Sequence, residues 1–220
     1  MSNTKKPVPA HLAGKVRGNF PSFLRKTDQE RIQNCYRTLQ NKWLNHLWEV
    51  SIKLDGSSFT AYYIAEEDRF GVCSRNLDLA ESEENAFWQV ARKYDLEAKM
   101  REHGMSIAIQ GELIGPGVQG NPEGLAELDM YVFDIFDIQT QKYFASHVRQ
   151  TMVEYFGLKH VPIIHEKIDL TVFSLQDILE YADGPSLYAK RREGLVFKSL
   201  DDPNVSWKAI SNQWLLKSEG

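Results

Sequence analysis

The sequence predicts an α+β domain built from largely antiparallel sheets. Short runs of alternating apolar and polar residues, typical of strands, cluster toward both ends of the 220-residue chain. Segments with helical spacing of apolar residues lie between them, and no Pro/Gly-rich linker divides the chain. These observations indicate one domain over residues 20–220, preceded by a polar and flexible tail over residues 1–19.

The first predicted elements are a helix and three strands. Thr27-Asp28-Gln29-Glu30 is a capping-box pattern, and the apolar residues after it recur at helical spacing, which predicts a helix over about residues 28–45. Three strands joined by tight turns follow, over residues 49–55, 59–65 and 70–74. The next segment, residues 85–103, is expected to be helical with a break near Asp95.

The second half of the chain continues with both kinds of element. Strands are predicted over residues 106–113 and 130–137. Ser146 is expected to cap a helix that runs to about residue 156, and Ser174 with Asp177 to start another that ends near residue 184. Two final strands are predicted, over residues 193–200 and 205–210.

Composition excludes several classes of protein. The hydrophobic content of 42% is enough for a substantial core, and the formal net charge of −4 means that any nucleic-acid binding must use a local basic patch. Cys35 and Cys73 are too few and too far apart for a zinc motif or a disulfide framework, which favours a reducing cytoplasmic or nuclear compartment. No apolar run is long enough to span a membrane, and the first residues lack the apolar core of a signal peptide.

A lysine and an aspartate interrupt the apolar stretch "SIKLDGSS". Lys53 and Asp55 share one face of the predicted strand and lie beside Gly56, which permits a sharp turn or a close ligand. A lysine attacks only as the neutral amine, and its ordinary pKa of about 10.4 leaves roughly a thousandth of it reactive at neutral pH. Asp55 alone would raise that pKa, so nucleophilic chemistry requires a metal ion at Asp55. By itself, the pattern is equally typical of an ion pair at a solvated sheet edge.

Two more acids and two bases occupy comparable positions. Glu112 ends an apolar strand before the glycine-rich turn of "IQGELIGPGVQGN", and Glu193 begins the apolar strand of "REGLVFKS". Arg75 stands at a strand end in "CSRN", and Lys208 is enclosed by apolar neighbours in "VSWKAISNQWLLK". Taken alone, the Glu112 stretch is more typical of an ordinary strand-to-loop exit, and each of the other patterns is weak by itself.

An aromatic strand adds a possible stacking surface. In "YVFDIFD", Tyr131, Phe133 and Ile135 are expected to share a face, with Asp134 opposite. Aromatic residues in strands usually belong to the core. At a ligand site, such a ring stacks on a nucleic-acid base with a gain of about 1–3 kcal/mol.

The order of these motifs along the chain is more informative than any one of them. Six motifs succeed one another between about residues 20 and 217. They are K-x-D-G, S-R-N, G-E, an aromatic-F-D-I strand, E-G followed by three apolar residues and a lysine, and a lysine in an apolar strand. This series resembles the covalent nucleotidyltransferases, which comprise ATP-dependent polynucleotide ligases and capping enzymes. More narrowly, the chain is similar to the branch of nick-sealing RNA ligases with an N-terminal OB module. The segments that carry this similarity are "FPSFLRKTDQERIQN", "KLDGSS", "GELIGPGVQGN" and "SWKAISNQWLLK". The resemblance implies a nucleotidyltransferase domain of the ATP-grasp-like ligase type.

The resemblance also implies a reaction and its catalytic residues. A lysine at the position of Lys53 attacks the α-phosphate of ATP and forms lysine–AMP; the AMP then passes to a 5′-phosphate end, where a 3′-hydroxyl displaces it. The implied catalytic set is Lys53, Asp55, Glu112, Glu193 and Lys208. The three acids are expected to orient the water shell of Mg²⁺ or Mn²⁺, and Glu112 is assigned to the ribose, to this shell or to both.

Six residues are implied to bind the nucleotide, namely Lys53, Arg75, Glu112, Phe133, Lys208 and Lys217. Phe133 is the choice for the adenine-stacking ring, and Tyr131 is the alternative. Some related RNA ligases carry a second lysine two residues after the equivalent of Lys208, where this chain has Ile210.

The expected partners are ATP and a nicked duplex with RNA on the 3′-hydroxyl side, bound by a monomer with no membrane partner. Neither side of the predicted catalytic region has room for an OB module, so such a domain is expected to be separate, removed or naturally absent. Three alternatives remain: a DNA ligase core, a GTP-using capping guanylyltransferase, and a non-catalytic nucleic-acid-binding module.

Overall fold

A computed structural model of the chain describes residues 14–218, and these residues form two sheets that face each other across a cleft. The first sheet has the strand order β1-β6-β5-β4-β7-β8-β10, with β9 paired to β8. Its strands are β1 (Val16–Asn19), β4 (Ser57–Ile64), β5 (Arg69–Cys73), β6 (Leu77–Leu79), β7 (Ile107–Ile114), β8 (Asp129–Asp137), β9 (Lys142–Tyr143) and β10 (Lys159–His160).

The second sheet has the order β11-β3-β12-β13-β2. Its strands are β2 (Glu30–Arg31), β3 (Leu47–Lys53), β11 (Ile163–Asp169), β12 (Gly194–Ser199) and β13 (Ser206–Ile210). The described strands pair antiparallel, except that β10 runs parallel to β8 and β2 runs parallel to β13. The predicted α+β class with largely antiparallel sheets is therefore confirmed.

Six α-helices accompany the two sheets within residues 14–218. They are α1 (Ile32–Asn41), α2 (Ala86–Lys93), α3 (Leu96–His103), α4 (Ser146–Tyr155), α5 (Leu175–Tyr181) and α6 (Asn212–Ser218). Helices α2 and α3 bury Trp88, Leu96 and Met100 in one core cluster with the first sheet. Helices α1 and α5 contribute Ile32 and Ile178 to a second cluster with β3, β12 and β13.

Strand β3 shows why its charged residues face inward. Trp48, Val50 and Ile52 point to the second core cluster under α1 and α5. The alternate residues, which include Glu49 and Lys53, therefore point to the other side of the strand, toward the first sheet. One strand thus brings two charged groups into the space between the sheets.

Several local predictions are confirmed. The predicted break near Asp95 separates α2 from α3, and Asp95 has the left-handed backbone conformation with φ 52°. The predicted capping box of α5 is present, because the Ser174 side chain accepts from the Asp177 backbone while the Asp177 carboxylate accepts from the Ser174 N–H. All predicted strands form, with ends displaced by a few residues at most.

Two predicted helix caps are wrong. The Thr27 hydroxyl bonds to the Ser58 hydroxyl at 2.7 Å, and helix α1 begins only at Ile32, after Glu30–Arg31 has paired with β13. Pairing with a strand more than a hundred residues away overrides the local capping pattern. Ser146 does not cap α4 either, since Ala145 occupies the capping position without a side-chain bond.

The predicted tail is too long at its C-terminal end. Val16–Asn19 form β1, which pairs antiparallel with β6 at the edge of the first sheet. The segment has little hydrophobic signal because only alternate residues are partly buried. Residues 1–13 of the predicted tail lie outside the described residues. No described helix has the length and apolar character needed to cross a membrane.

Candidate active site

The chain crosses from the second sheet to the first between Lys53 and Ser57. The crossing is tight, since a Cβ on Gly56 would lie 2.2 Å from the backbone oxygen of Leu113. Only glycine fits there without movement of the neighbouring strand. The crossing places Lys53 and Asp55 on the wall of a cavity of about 440 Å³ between the two sheets.

The cavity gathers most of the predicted site residues. All five predicted catalytic residues line it together with Arg75 and Phe133. Lys53, Glu193 and Lys208 come from the second sheet or its ends, whereas Arg75, Glu112 and Phe133 come from the first sheet and its connections. Residues separated by more than 150 positions in the sequence therefore meet in one cleft.

Two predicted residues lie elsewhere. Lys217 is exposed on α6 and is not among the residues that line the cavity. Tyr131 belongs to the second core cluster and does not line the cavity, whereas Phe133 does. The geometry thus favours Phe133 over Tyr131 as the ring that faces a ligand.

Lys53 has one direct partner among the cavity acids. Its Nζ donates to Oε1 of Glu193 at 3.0 Å, and the two side chains are 21% and 14% exposed. The strand register explains the contact, because Gly194 is paired with Lys53 and Glu193 directly precedes it. A Cβ on Gly194 would lie 2.1 Å from the Ala209 backbone oxygen, so this close packing also requires glycine.

The carboxylates of the cavity are crowded. The pKa of Glu112 is raised to about 8, mainly by burial, with Lys53 opposing the rise and the nearby Glu193 and Asp55 adding to it. Burial and Glu193 also raise the pKa of Asp55. The pKa of Lys208 is lowered by burial and by the charge of Lys53. The raised pKa values of Glu112 and Asp55 mean that a cation bound in the cavity would favour the ionised forms of these carboxylates.

This donor set fits a hard divalent cation. Mg²⁺ and Mn²⁺ prefer oxygen ligands, and Mg²⁺ usually keeps several of its waters. Within residues 14–218, no three acidic, histidine or cysteine side chains converge closely enough to hold a metal directly. Contact through water from Asp55, Glu112 and Glu193 stays a prediction.

Comparison with known proteins places the chain in a family. A family model described as RNA ligase matches residues 46–210, which is more than half of the chain. The chain belongs to the RNA ligase family. A search of curated protein sequences found no match.

Solved structures of a Naegleria gruberi RNA ligase resemble this family member throughout its length. A mutant solved with ATP and manganese is 42% identical, with a TM-score of 0.88 over 97% of this chain and 63% of that chain. The same ligase solved with pyrophosphate is 41% identical, with a TM-score of 0.88 over 98% and 64%. A further mutant, solved with AMP and manganese, is 42% identical with a TM-score of 0.87 over 97% and 63%.

Two conclusions follow from these comparisons. The chain has the nucleotidyltransferase fold of these ligases, as the motif series predicts. It also spans less than two thirds of the length of each solved relative described here.

The position that carries lysine in some RNA ligases has a structural role in this family member. Ile210 ends β13 and is 3% exposed. It is paired with Gly194 beside the Lys53–Glu193 contact. This family member therefore has a buried apolar residue here instead of a second cation.

Sequence reasoning missed several residues of the cavity wall. Asp28 lies there and forms an ion pair with Arg75 at 2.9 Å. Its pattern was assigned to a helix cap, which concealed it. Phe87, which follows the Asn85 cap of α2 and is parallel to the Phe59 ring at 6.3 Å, also lines the cavity. Neither residue stands in a motif with a recognisable chemical signature.

Proposed function

We propose that this chain is the catalytic domain of an ATP-dependent RNA ligase that seals nicks through a lysine–AMP intermediate. The observation that carries the proposal is the meeting of Lys53, Glu193, Glu112 and Lys208 around one cavity between the sheets. The Naegleria relatives with ATP, AMP, pyrophosphate and manganese support the same nucleotide chemistry.

Lys53 is the nucleophile in this proposal. Its amine attacks the α-phosphorus of ATP; the new N–P bond forms as the bond between the α-phosphorus and the bridging oxygen breaks, and pyrophosphate leaves. Oε1 of Glu193, which already accepts a hydrogen bond from Nζ at 3.0 Å, orients the amine and is placed to take its proton.

The remaining residues bind and orient the nucleotide. Lys208 lies on β13, which pairs with β12, and it stabilises the charge that develops on the α-phosphate. Phe133 provides a ring for the base, and Glu112 is placed to bind the ribose or the water shell of a cation. A divalent cation held near Asp55, Glu112 and Glu193 would supply positive charge that favours the neutral amine and offsets the phosphate oxygens.

Sealing follows from transfer of the AMP. A 5′-phosphate oxygen at the nick attacks the phosphorus of lysine–AMP, which restores the Lys53 amine and forms a phosphoanhydride. The 3′-hydroxyl oxygen then attacks the 5′-phosphorus, and AMP leaves with the bonding electrons of the anhydride. RNA is the proposed 3′-hydroxyl strand because the matching family is that of RNA ligases.

The first test is covalent labelling. Incubation with α-labelled ATP and Mn²⁺ is expected to attach acid-labile label to the wild-type protein and none to Lys53→Met, which keeps the length of the side chain but removes the amine. Lys42→Met, at an exposed lysine after α1, is the matched control and should be labelled normally. Unlabelled wild type, or a labelled Lys53→Met, would refute the proposal.

Substrate preference is tested with matched nicks. Duplexes that differ only in an RNA or DNA nucleotide at the 3′-hydroxyl end are offered to the labelled protein. Faster loss of label and faster sealing with the RNA end is expected. Equal rates would remove the preference for RNA while leaving the lysine–AMP chemistry intact.

A further inference from the structure

A second lysine of the E-G-apolar strand lies behind the cavity. Lys198 on β12 is 3% exposed and does not line the cavity. Its Nζ donates to the backbone oxygen of Phe133 and lies 3.0 Å from Oδ1 of Asp134. It reaches across from the second sheet to the strand of the first sheet that carries the ring.

The carbonyl that Lys198 reaches belongs to a bulge in β8. On β7, Gln110 is opposite Asp134 and Gly111 is opposite Val132, so Phe133 has no partner there. The bulge also explains why one prediction is wrong: Ile135 joins Val132 in the first core cluster, whereas Tyr131 and Phe133 face the second. A bulge redirects a side chain and leaves backbone groups that need another partner.

The amine of Lys198 also faces the ring itself. Its Nζ lies 5.7 Å from the centroid of the Phe133 ring, within the range of a cation–π contact. The same ammonium group therefore contacts both the backbone and the ring of the bulged residue. An aromatic side chain at a bulge has more freedom than one in a regular ladder, and these two contacts restrict it.

Opposite charges on two other elements, Asp134 on β8 and Glu49 on β3, keep Lys198 in place. Glu49 on β3 is paired with it in register, and Arg149 on α4 donates to Glu49. Burial and Arg149 lower the pKa of Lys198 to about 8, while Asp134 and Glu49 counteract them.

We infer that Lys198 is a positioning residue for nucleotide binding: by holding the bulged backbone of Phe133, it sets the ring at the angle that the base requires. The inference rests on the proposed function, since it assumes that Phe133 stacks on the base of ATP. Lys198 acts through Phe133 and touches no substrate. Its loss is therefore expected to weaken ATP binding much more than it slows the chemical step.

The experiment isolates the bond to the Phe133 carbonyl. Lys198→Met alone would leave Asp134 buried without its cation, so the comparison is between Asp134→Asn and the pair Lys198→Met/Asp134→Asn. Asp134→Asn keeps the amine at the carbonyl, whereas the pair removes the amine and has the same net charge as the wild type. The KM for ATP in self-adenylylation is expected to rise about tenfold between the two, a loss within the range of one base stack, with kcat changed less than about threefold.

His160→Gln provides the matched control, because the ring of His160 hydrogen-bonds to Arg149 and to the Val161 oxygen rather than to Phe133. Its KM for ATP should equal that of the wild type. An equal KM in Asp134→Asn and the pair, or a fall in kcat alone, would overturn the inference. Absence of label on the wild type would instead refute the proposed function.

A folding failure of the pair does not remove the test. Lys198→Arg keeps the charge and the donors but places them at a different length from the Phe133 carbonyl. Thermal unfolding establishes which variants are folded, and Lys198→Arg is then compared with the wild type. A higher KM at a similar kcat supports the inference, and an unchanged KM contradicts it.

Discussion

The inward face of β3 carries charge at both of its ends, and the two ends differ in how that charge is compensated. At one end, Glu49 meets Arg149 on α4 and accepts from Gln150 at 3.0 Å. At the other, Lys53 has Glu193, while Glu112 and Asp55 have no ion-pair partner within residues 14–218.

The pKa values follow this difference. Burial alone would raise the pKa of Glu49, yet Arg149 and Lys198 hold it below its ordinary value. Burial and neighbouring acids instead raise the pKa of Glu112 to about 8. The first region is compensated internally and is expected to stabilise the fold. At the Lys53 end, we expect a bound cation or ligand to compensate the charge of the carboxylates.

The largest expected effect is on stability, at the Glu49 end. Arg149→Met leaves the buried Glu49 without its guanidinium partner, and the free energy of unfolding should fall by about 3–5 kcal/mol. Urea unfolding measures the change. The pair Glu49→Gln/Arg149→Met removes both charges and should recover more than half of the loss. A loss below about 1 kcal/mol in Arg149→Met would show that this region is not compensated as described.

The same region predicts a dependence of stability on pH. Nε of Arg149 donates to Nε2 of His160 at 3.0 Å, so the ring is neutral with its proton on Nδ1, 2.7 Å from the Val161 oxygen. Burial and Arg149 lower the pKa of His160 to about 4; the nearby Lys198 also lowers it, while Glu49 opposes them.

The direction of this pH dependence follows from whether the folded or the unfolded state binds a proton at the higher pH. As the pH falls below about 6.5, the unfolded histidine is protonated while the folded one is not, so stability declines until about pH 4. His160 contributes up to about 3 kcal/mol to this decline. Denaturant unfolding between pH 7.5 and 4.5 should give a steeper loss in the wild type than in His160→Gln. Parallel curves would contradict the assignment.

The Lys53 end predicts the opposite response to loss of charge. Glu112→Gln removes a crowded carboxylate, so the metal-free protein should become more stable, by about 1 kcal/mol, while self-adenylylation falls severely. Thermal unfolding and covalent labelling measure the two effects. Glu127→Gln, at a side chain 83% exposed, is the matched control and should change neither. A Glu112→Gln protein that is less stable than the wild type would show that this end too is compensated internally.

The two regions were not equally visible in the sequence. Asp55, Glu112 and Glu193 stand beside glycines, Lys53 lies two residues before Asp55, and Lys208 lies within an apolar strand. The order of these residues along the chain predicts one site. Glu49 occupies a strand and Arg149 a helix, and nothing local distinguishes these two residues from solvated charges. Lys198 belongs to the E-G-apolar motif, but the motif does not indicate its partners. The role of all three residues appears only when β3, β12 and α4 are brought together.

The success of each prediction of local structure depended on whether sequence neighbours or distant contacts determine that structure. The Ser174 capping box depends only on neighbours in sequence and was predicted correctly. The pattern at Thr27 looked identical, but Glu30–Arg31 pairs with β13, and this distant contact determines where α1 begins. The bulge at Phe133 was invisible because the strand reads as a regular alternation until β7 is placed beside it.

The smallest expected effect on stability is at the ion pair between Asp28 and Arg75. This pair tests whether charge at the cavity is compensated within the protein or by a ligand. The two residues form an ion pair at 2.9 Å on the cavity wall, but their side chains are 56% and 63% exposed. Exposed pairs contribute little, so Asp28→Asn should change the free energy of unfolding by less than about 0.5 kcal/mol in urea. Asp28→Asn should also leave Arg75 free for a phosphate, so self-adenylylation should persist. A destabilisation above about 1 kcal/mol would mean that charge at the cavity is compensated within the protein after all, and that the contrast between the ends of β3 is one of degree.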